Sequence, residues 1–240
     1  MIRFKKRSSD QEQMDDLTLG RNKIKAVLRD INMANSLLGG NRITLKALKR
    51  LMTQHPAGKY NVLDVGCGDG TLLREVAMMC KREGIEVCLT GIDLNADSIS
   101  LARQKNSDLA NITFERKDVF DLNPERDGSD FIICTLTLHH FSDEEILKLI
   151  GKFSDLVRFG VVINDLDRSR IAFTLFRVFS AIFMKTPIAR QDGLTSIKRG
   201  FTRSELLSFS KSLKDADHKI RWRWAFRYEW SFWHKNGIVQ

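Results

Sequence analysis

The sequence predicts an α/β fold, a Rossmann-like and mainly parallel seven-stranded sheet, and three features of the chain predict it. Short apolar runs alternate with amphipathic helical stretches through the middle of the chain. A glycine-rich loop joins the first of those runs directly to a helix, and two β-rich runs lie close together near the C-terminal end. Strands separated by helices need crossover connections, which produce a parallel sheet covered on both faces. Strands joined by a short link pair antiparallel, here as an edge pair.

The elements follow in order. Leu28, Ile31 and Leu38, then Leu45, Leu48, Leu51 and Met52, recur at helical spacing with a break at Gly39-Gly40, so 1–58 reads as an N-terminal helical cap. After Pro56-Ala57-Gly58 the core, 59–166, has candidate strands at 62–65, 87–93, 112–117, 131–136 and 161–165, with helices near 72–83, 97–106 and 143–155. The segment 167–200 then reads as a lid insertion after the fifth strand. It opens with a strongly apolar helix, 171–184, carrying Phe173, Phe176, Phe179 and Phe183, and continues as a polar loop, 186–200, with a turn at Arg190-Gln191-Asp192-Gly193. The remainder, 201–240, supplies a helix from Thr202 and the edge strands 219–224 and 229–234. One domain over 1–240 is the expected organisation.

Composition narrows the class. With 42% hydrophobic residues and three prolines among 240, the chain has the makeup of a folded protein. No apolar run approaches the ~20 residues of a membrane span, and the N-terminal stretch passes from basic to polar without a signal-like apolar core, so a cytoplasmic location is expected. Cys67, Cys80, Cys88 and Cys134 show no paired metal spacing, which predicts free thiols and no metal site. The net charge of +9 is spread along the chain and reads as a basic surface without a specific nucleic-acid site.

The sharpest local signal is VLDVGCGDGTLL, residues 62–73, where an apolar strand runs into Gly66, Gly68 and Gly70 and a helix follows at once. Glycines let the backbone approach a ligand at the carboxyl end of the first strand, where open α/β sheets bind. A dinucleotide fingerprint, G-x-G-x-x-G, needs its third glycine one place later. Asp64 and Asp69 would also repel a pyrophosphate, whereas they suit a ligand bearing an ammonium and a sulfonium. Asp93, ending the second strand, is placed to accept both hydroxyls of an adenosine ribose. Asp118, after the third, is placed to accept from an adenine amino group, with Val119 and Phe120 as apolar contacts; a helix N-cap is its bland alternative.

LDVGCGDG, GIDLN, KDVFDL and FIICTLTLHHF, in that order and at those intervals, resemble the class I S-adenosylmethionine (SAM)-dependent methyltransferases, especially those similar to ubiquinone and menaquinone biosynthesis methyltransferases. The likeness covers about 60–165. The flanks RSSDQEQMDD, NSLLGG and RQDGLTSIKRGFTRSEL resemble methyltransferases encoded beside type III polyketide synthases, which modify alkylated phenols and quinones. The resemblance implies SAM as cofactor, lined by Gly66, Gly68, Asp93, Asp118 and Val119, with Thr135 and Leu136 closing the site; Asp64, Cys67, Asp69, Gly70 and Leu94, beside these in the chain, are expected to complete the cofactor site. It also implies a small lipophilic acceptor, phenolic or quinone-like, methylated on oxygen or carbon.

Methyl transfer from a sulfonium is an in-line displacement in which orientation supplies much of the rate. A base matters only where the acceptor loses a proton, and His139 and His140, after the fourth strand, are the candidates. His55, His218 and His234 have no comparable placement. Thr135-Leu136-Thr137-Leu138 stands where amino-methylating enzymes carry Asn/Asp-Pro-Pro-aromatic, which argues against adenine and glutamine acceptors.

Two other classes fit parts of the sequence. RWRWAFRYEWSFW mixes aromatic and basic side chains as an RNA methyltransferase surface does, but alternation of this kind also describes an amphipathic strand, the preferred reading. A non-catalytic SAM-binding or membrane-associated accessory protein is the other, because the apolar helix 171–184 on a basic chain fits a lipid surface. The same helix fits a lid or a homodimer contact, so monomer and homodimer both stay open.

Overall fold

In the computed structural model, which describes residues 4–235, the chain forms strands β1 Lys59–Val65, β2 Glu86–Asp93, β3 Ile112–Arg116, β4 Ser129–Thr135, β5 Val157–Leu166, β6 Ala216–Arg223 and β7 Arg227–His234. They make one sheet in the order β3-β2-β1-β4-β5-β7-β6. The first five pair in parallel, β7 joins β5 antiparallel, and β6 pairs antiparallel outside β7. The order turns back between β1 and β4, which opens a crevice at their carboxyl ends where this class of sheet binds ligands. The expected seven-stranded architecture with its antiparallel edge pair is therefore the observed one.

The helices are α1 Arg21–Leu37, α2 Gly40–Gln54, α3 Thr71–Glu83, α4 Ala96–Lys105, α5 Pro124–Asp127, α6 Asp143–Leu156, α7 Arg170–Phe183, α8 Pro187–Arg199 and α9 Arg203–Ser210. Their ends follow local chemistry. Asn95 accepts from the Ser98 amide, and Ser142 with Glu145 and Thr202 with Glu205 form capping boxes. Gly39, at φ +70, makes the left-handed break between α1 and α2.

β4 and β5 are buried on both faces, which is why they read as continuous apolar runs, whereas β2 and β3, toward the sheet edge, alternate buried and exposed residues. Leu48 of α2 and Leu73 and Val76 of α3 belong to one core cluster with Phe131, and Ile146, Leu149 and Phe153 of α6 belong to a second with Trp230. Phe131 to Cys134 are wholly buried. The three buried cysteines and the exposed Cys88 are free.

One element differs from expectation. Residues 187–199, read as a polar loop, are the helix α8. Thr186 caps it by accepting from the Ala189 amide, and Pro187 occupies its first turn, where proline is tolerated. Its polar side chains are satisfied by tertiary partners: Asp192 accepts from the Gln13 and Met14 amides, and Ser196 donates to Glu12. Gly193 is thus a packing residue and not a turn, since a Cβ there would lie 2.4 Å from the Phe176 ring of α7. The N-terminal segment runs across α8, with the Ser8 amide donating to the Lys198 carbonyl and the Arg7 guanidinium to the His139 and Phe141 carbonyls.

The RWRW segment is a strand, as preferred, and its basic residues are partly used inside the protein. Arg223 and Arg50 both bond the buried Glu229, and the Trp222 indole donates to Asp167. Among the described residues no helix is long and apolar enough to cross a membrane.

Candidate functional site

The glycine loop sits at the end of β1, pinned by the Gly66 and Cys67 amides, which both donate to the Ile92 carbonyl of β2. Gly66, Gly68 and Gly70 all have left-handed φ, at +73, +55 and +72, which a side chain would strain. Their surroundings differ. A Cβ on Gly66 would lie 2.2 Å from Thr137 Oγ1, and one on Gly68 3.3 Å from Leu28 of α1. A Cβ on Gly70 would strike the Phe114 ring at 2.5 Å, and Gly70 does not line the cavity beside the loop. Gly70 serves packing and the start of α3, and not a ligand directly.

That cavity has a volume of about 800 Å³, within the range of small-molecule sites. Part of its wall is the loop with Asp64, Asp93, Leu94 and Val119; another part is apolar, from Ile31 of α1, Leu175, Phe176 and Phe179 of α7, and Met184, with Ile197 of α8. The lid helix therefore contributes to the same cavity as the glycine loop. Its opposite side is bare, with Ile171, Val178 and Ile182 exposed.

The carboxylates are held in different ways. Asp64 is fully buried, and its Oδ2 has no hydrogen-bond partner. Burial, and then the nearby Asp93, push its carboxyl well above the ordinary carboxylate range. An orphaned buried oxygen on a cavity wall is what a cationic ligand repairs, so an ammonium or sulfonium fits here. Asp93 accepts from the Asn95 amide through Oδ1 and from the Gly68 amide through Oδ2, which locks it to the loop; burial raises its pKa, partly offset by those two bonds. Its remaining lone pairs suit a ribose diol.

Asp69 lines the cavity but is not a free acid. It binds Lys105 at 2.8 Å, the Asn32 amide group at 2.9 and 3.0 Å, and Thr71, so its charge is spent holding α1 and α4 to the loop. Asp118 caps a short 3-10 turn by accepting from the Phe120 amide, and its neighbours Lys117 and Val119, not Asp118 itself, line the cavity. The N-cap alternative is the one the geometry matches. Cys67 lines the cavity as well, and burial pushes its thiol well up, so it packs as an apolar group. Thr135 and Leu136 line it at the end of β4; Leu136 leaves the strand at φ +55, a conformation that costs a branched side chain about 1–3 kcal/mol.

The two histidines stand differently from a pair of free bases. His139 is buried, with Nδ1 2.7 Å from Asp165 and its backbone amide donating to the same carboxylate. Its Nε2 lies 3.3 Å from Glu12. Burial alone would lower its pKa, but Asp165 and then Glu12 outweigh it and lift the pKa to about 9, so the ring carries a proton at neutral pH. A base must be able to accept one, which sets His139 aside. His140 is more accessible and lines the cavity, with Nδ1 3.0 Å from Asp15.

Sequence reasoning did not single out Glu12, Asn32, Asp165 or Arg227, all of which line the cavity or fix a residue that does. Asp165 carried a signal, an acid at the end of the fifth strand as Asp93 is at the end of the second. Arg227 carried none: it is buried on β7, holds Asn35 through one nitrogen and leaves Nη1 unpartnered beside the cavity, and burial lowers its pKa to about 10.

Residues 62–160 match the family described as a methyltransferase domain. Over 118 residues the chain is 26% identical to malonyl-[acyl-carrier protein] O-methyltransferase 1 of Ilyobacter polytropus, covering 49% of this chain and 38% of that one. Over 99 residues it is 31% identical to an uncharacterised methyltransferase of Anoxybacillus flavithermus, covering 41% and 42%. The chain thus spans about two fifths of the length of the curated relatives it matches. Among solved structures it shares its fold with the plantazolicin methyltransferase BpumL in complex with a pentazolic desmethylPZN analogue and S-adenosylhomocysteine, at TM-score 0.67 and 15% identity over 94% of this chain and all of that one. The magnesium protoporphyrin IX methyltransferase of Synechocystis with bound S-adenosylhomocysteine has TM-score 0.56 at 17% identity, over 82% and 84%.

Proposed function

The chain carries a class I SAM-dependent methyltransferase domain, and on that premise we propose that it transfers a methyl group from SAM to a small lipophilic acceptor of phenolic or quinone-like character, on oxygen or carbon. One observation carries the reading: a single cavity joins an unpartnered buried carboxylate on the glycine loop to a wall of phenylalanine and aliphatic side chains. Asp64 and Asp93 would hold the cationic and ribose parts of SAM, with Gly66, Cys67 and Gly68 as the close backbone and Leu94, Val119, Thr135 and Leu136 around it. Bound there, SAM supplies a methyl on a sulfonium, a leaving group that needs no further activation.

The remaining work is orientation, and the apolar wall does it by fixing the acceptor's ring against α7 and α8. Where the acceptor must lose a proton, His140 is the imidazole at hand, because His139 already holds its own. The whole of 1–240 acts as one unit in this reading, since the cap 1–58, the core 59–166, the lid 167–200 and the C-terminal part 201–240 each contribute to the same cavity wall or its support. The bare outer face of α7, flanked by Arg170 and Arg177, fits a peripheral contact with anionic lipid, from which a lipophilic acceptor would arrive in a cytoplasmic enzyme. A specific nucleic-acid acceptor has less support, as Arg223 is already committed to Glu229.

Phe176→Ala and Phe179→Ala test the acceptor half. Each removes apolar contact worth about 1.5–3 kcal/mol when fully buried, so KM for an alkylated phenol should rise ~10-fold or more. The Kd for SAM, read by calorimetry, should stay within about twofold. Normal acceptor kinetics in both variants would remove the lid from the acceptor site.

A further inference from the structure

We propose that Glu12, His139 and His140 form a binding site for a divalent transition-metal ion of the Zn2+ class on the cavity wall. Sequence spacing gave no sign of it and predicted no metal site, because its ligands come from the N-terminal segment and from the turn after β4. The structure brings them together: one ligand atom from each of the three residues lies within 4.8 Å of the others. Glu12 Oε1 is 3.3 Å from His139 Nε2, and Glu12 Oε2 is 4.0 Å from His140 Nε2. Ligands held about 2.0–2.1 Å from a tetrahedral ion sit roughly 3.4 Å apart, so the spacing needs little adjustment.

Two further features point to a cation and not to a chance cluster. The first is orientation. Each imidazole turns Nδ1 to a carboxylate, His139 to Asp165 at 2.7 Å and His140 to Asp15 at 3.0 Å, leaving both Nε2 atoms toward Glu12. Carboxylates behind the distal ring nitrogens are the usual support of histidine metal ligands, fixing the tautomer and raising basicity. His139 Nε2, wholly buried, has Glu12 3.3 Å away as an ion-pair partner but no hydrogen bond of good geometry to it.

The second is charge. Glu12, Asp15 and Asp165 are three carboxylates around two imidazoles, and Glu12 and Asp15 also push the Asp192 carboxyl up from its ordinary range, after burial itself. Arg199 is the guanidinium within reach, 3.7 Å from Asp15 while donating to the His139 and His140 carbonyls; Arg7 is drawn off to Asp143. Arg199 and the His139 imidazolium against three carboxylates leave about one negative charge, and about two once the His139 proton is lost, which a divalent ion neutralises. Binding would expel the proton that His139 otherwise holds. Two imidazoles with one carboxylate select a first-row transition ion over Mg2+ or Ca2+, which prefer all-oxygen sites.

All three ligands line the cavity, so a coordination position left open by the protein faces the proposed acceptor. An acceptor hydroxyl bound to the ion there would release its proton to bulk water, the ion taking over from His140 by stabilising the oxyanion that then receives the methyl. That role rests on the methyl-transfer reading, but the ion site itself does not. The test uses the untagged 240-residue chain, stripped with chelator and titrated calorimetrically with Zn2+, then with Mg2+, and with Co2+ followed by visible absorption.

The expected result is one Zn2+ per chain, no comparable Mg2+ binding, and Co2+ bands of a histidine-containing site. Glu12→Gln and the more accessible His140→Ala should each weaken Zn2+ binding 100-fold or more while circular dichroism and SAM affinity are retained. No saturable Zn2+ binding, or unchanged binding in both folded variants, would overturn the site and leave His139 as an imidazolium between carboxylates. Zn2+ binding that survives in a protein unable to bind SAM would sustain the site and remove the methyl-transfer reading instead.

Discussion

Gly66→Val is expected to weaken SAM binding at least 100-fold while the sheet stays folded. The sequence suggests that an added side chain would simply fill ligand space, but the structure gives a different cause. The Cβ would lie 2.2 Å from Thr137 Oγ1 and 2.6 Å from its Cγ2, so Thr137 must move. Thr137 donates to the Thr135 carbonyl, and Thr135 and Leu136 form the facing wall of the cavity, so the displacement reaches both sides of the proposed SAM site. The left-handed φ of +73 adds a further cost of about 1–2 kcal/mol for any L side chain, and more for a branched one. The loop's anchors, the Gly66 and Cys67 amides on Ile92, lie on β2 and not on Thr137, which is why the core should survive. A titration showing at least 100-fold weaker SAM binding, beside a near-native circular dichroism spectrum, is the expected pair. Binding within tenfold of wild type would mean the loop does not approach the cofactor.

Asp64→Asn separates affinity from stability. Asp64 is buried without a partner for Oδ2, and its pKa in the folded protein is raised, by burial first and by Asp93 second. Between the unfolded carboxylate pKa near 3.9 and that raised value the native state binds more protons than the unfolded one, so stability falls as pH rises through the window. Above the window the cost of an ionised buried carboxylate is fully present. Asparagine removes it, so the variant should melt no lower than wild type at neutral pH and should lose the stability gain that wild type shows on acidification. SAM affinity moves the other way. A cation beside Asp64 favours the ionised form, and losing a charge-assisted contact costs about 1.5–3 kcal/mol, or ~10–150-fold in Kd. Wild-type affinity should itself fall as pH drops through the raised pKa, and the variant's should not. A variant that melts well below wild type, or binds SAM equally well, contradicts the role assigned to Asp64.

How much of this was legible in the sequence depended on how local each cause is. The apolar runs of β4 and β5 are buried on both faces and β2 and β3 alternate buried with exposed residues, so composition or period marks each of them, and the glycine loop is visible because left-handed backbone favours glycine. The helix α8 was hidden because its polar residues look like a loop until Asp192 meets the Gln13 and Met14 amides, some 180 positions away. His139 illustrates the same limit. Its placement after the fourth strand suggested a base, yet its protonation is decided by Asp165 and Glu12, neither a sequence neighbour. Asp69 read as a carboxylate facing a ligand, and the structure spends it on Asn32 and Lys105. Spacing identifies where a site lies; the charge state of its members comes from partners that only the fold brings near.

The most direct test of the central claim is a calorimetric titration of the purified 240-residue chain with SAM, run beside native mass spectrometry of the untreated protein. One SAM should bind per chain with micromolar or tighter affinity, and S-adenosylhomocysteine should compete for the same site. A mass shift from co-purified SAM or its demethylated product would agree with that result. No saturable binding of either compound to the folded chain would contradict the methyltransferase reading.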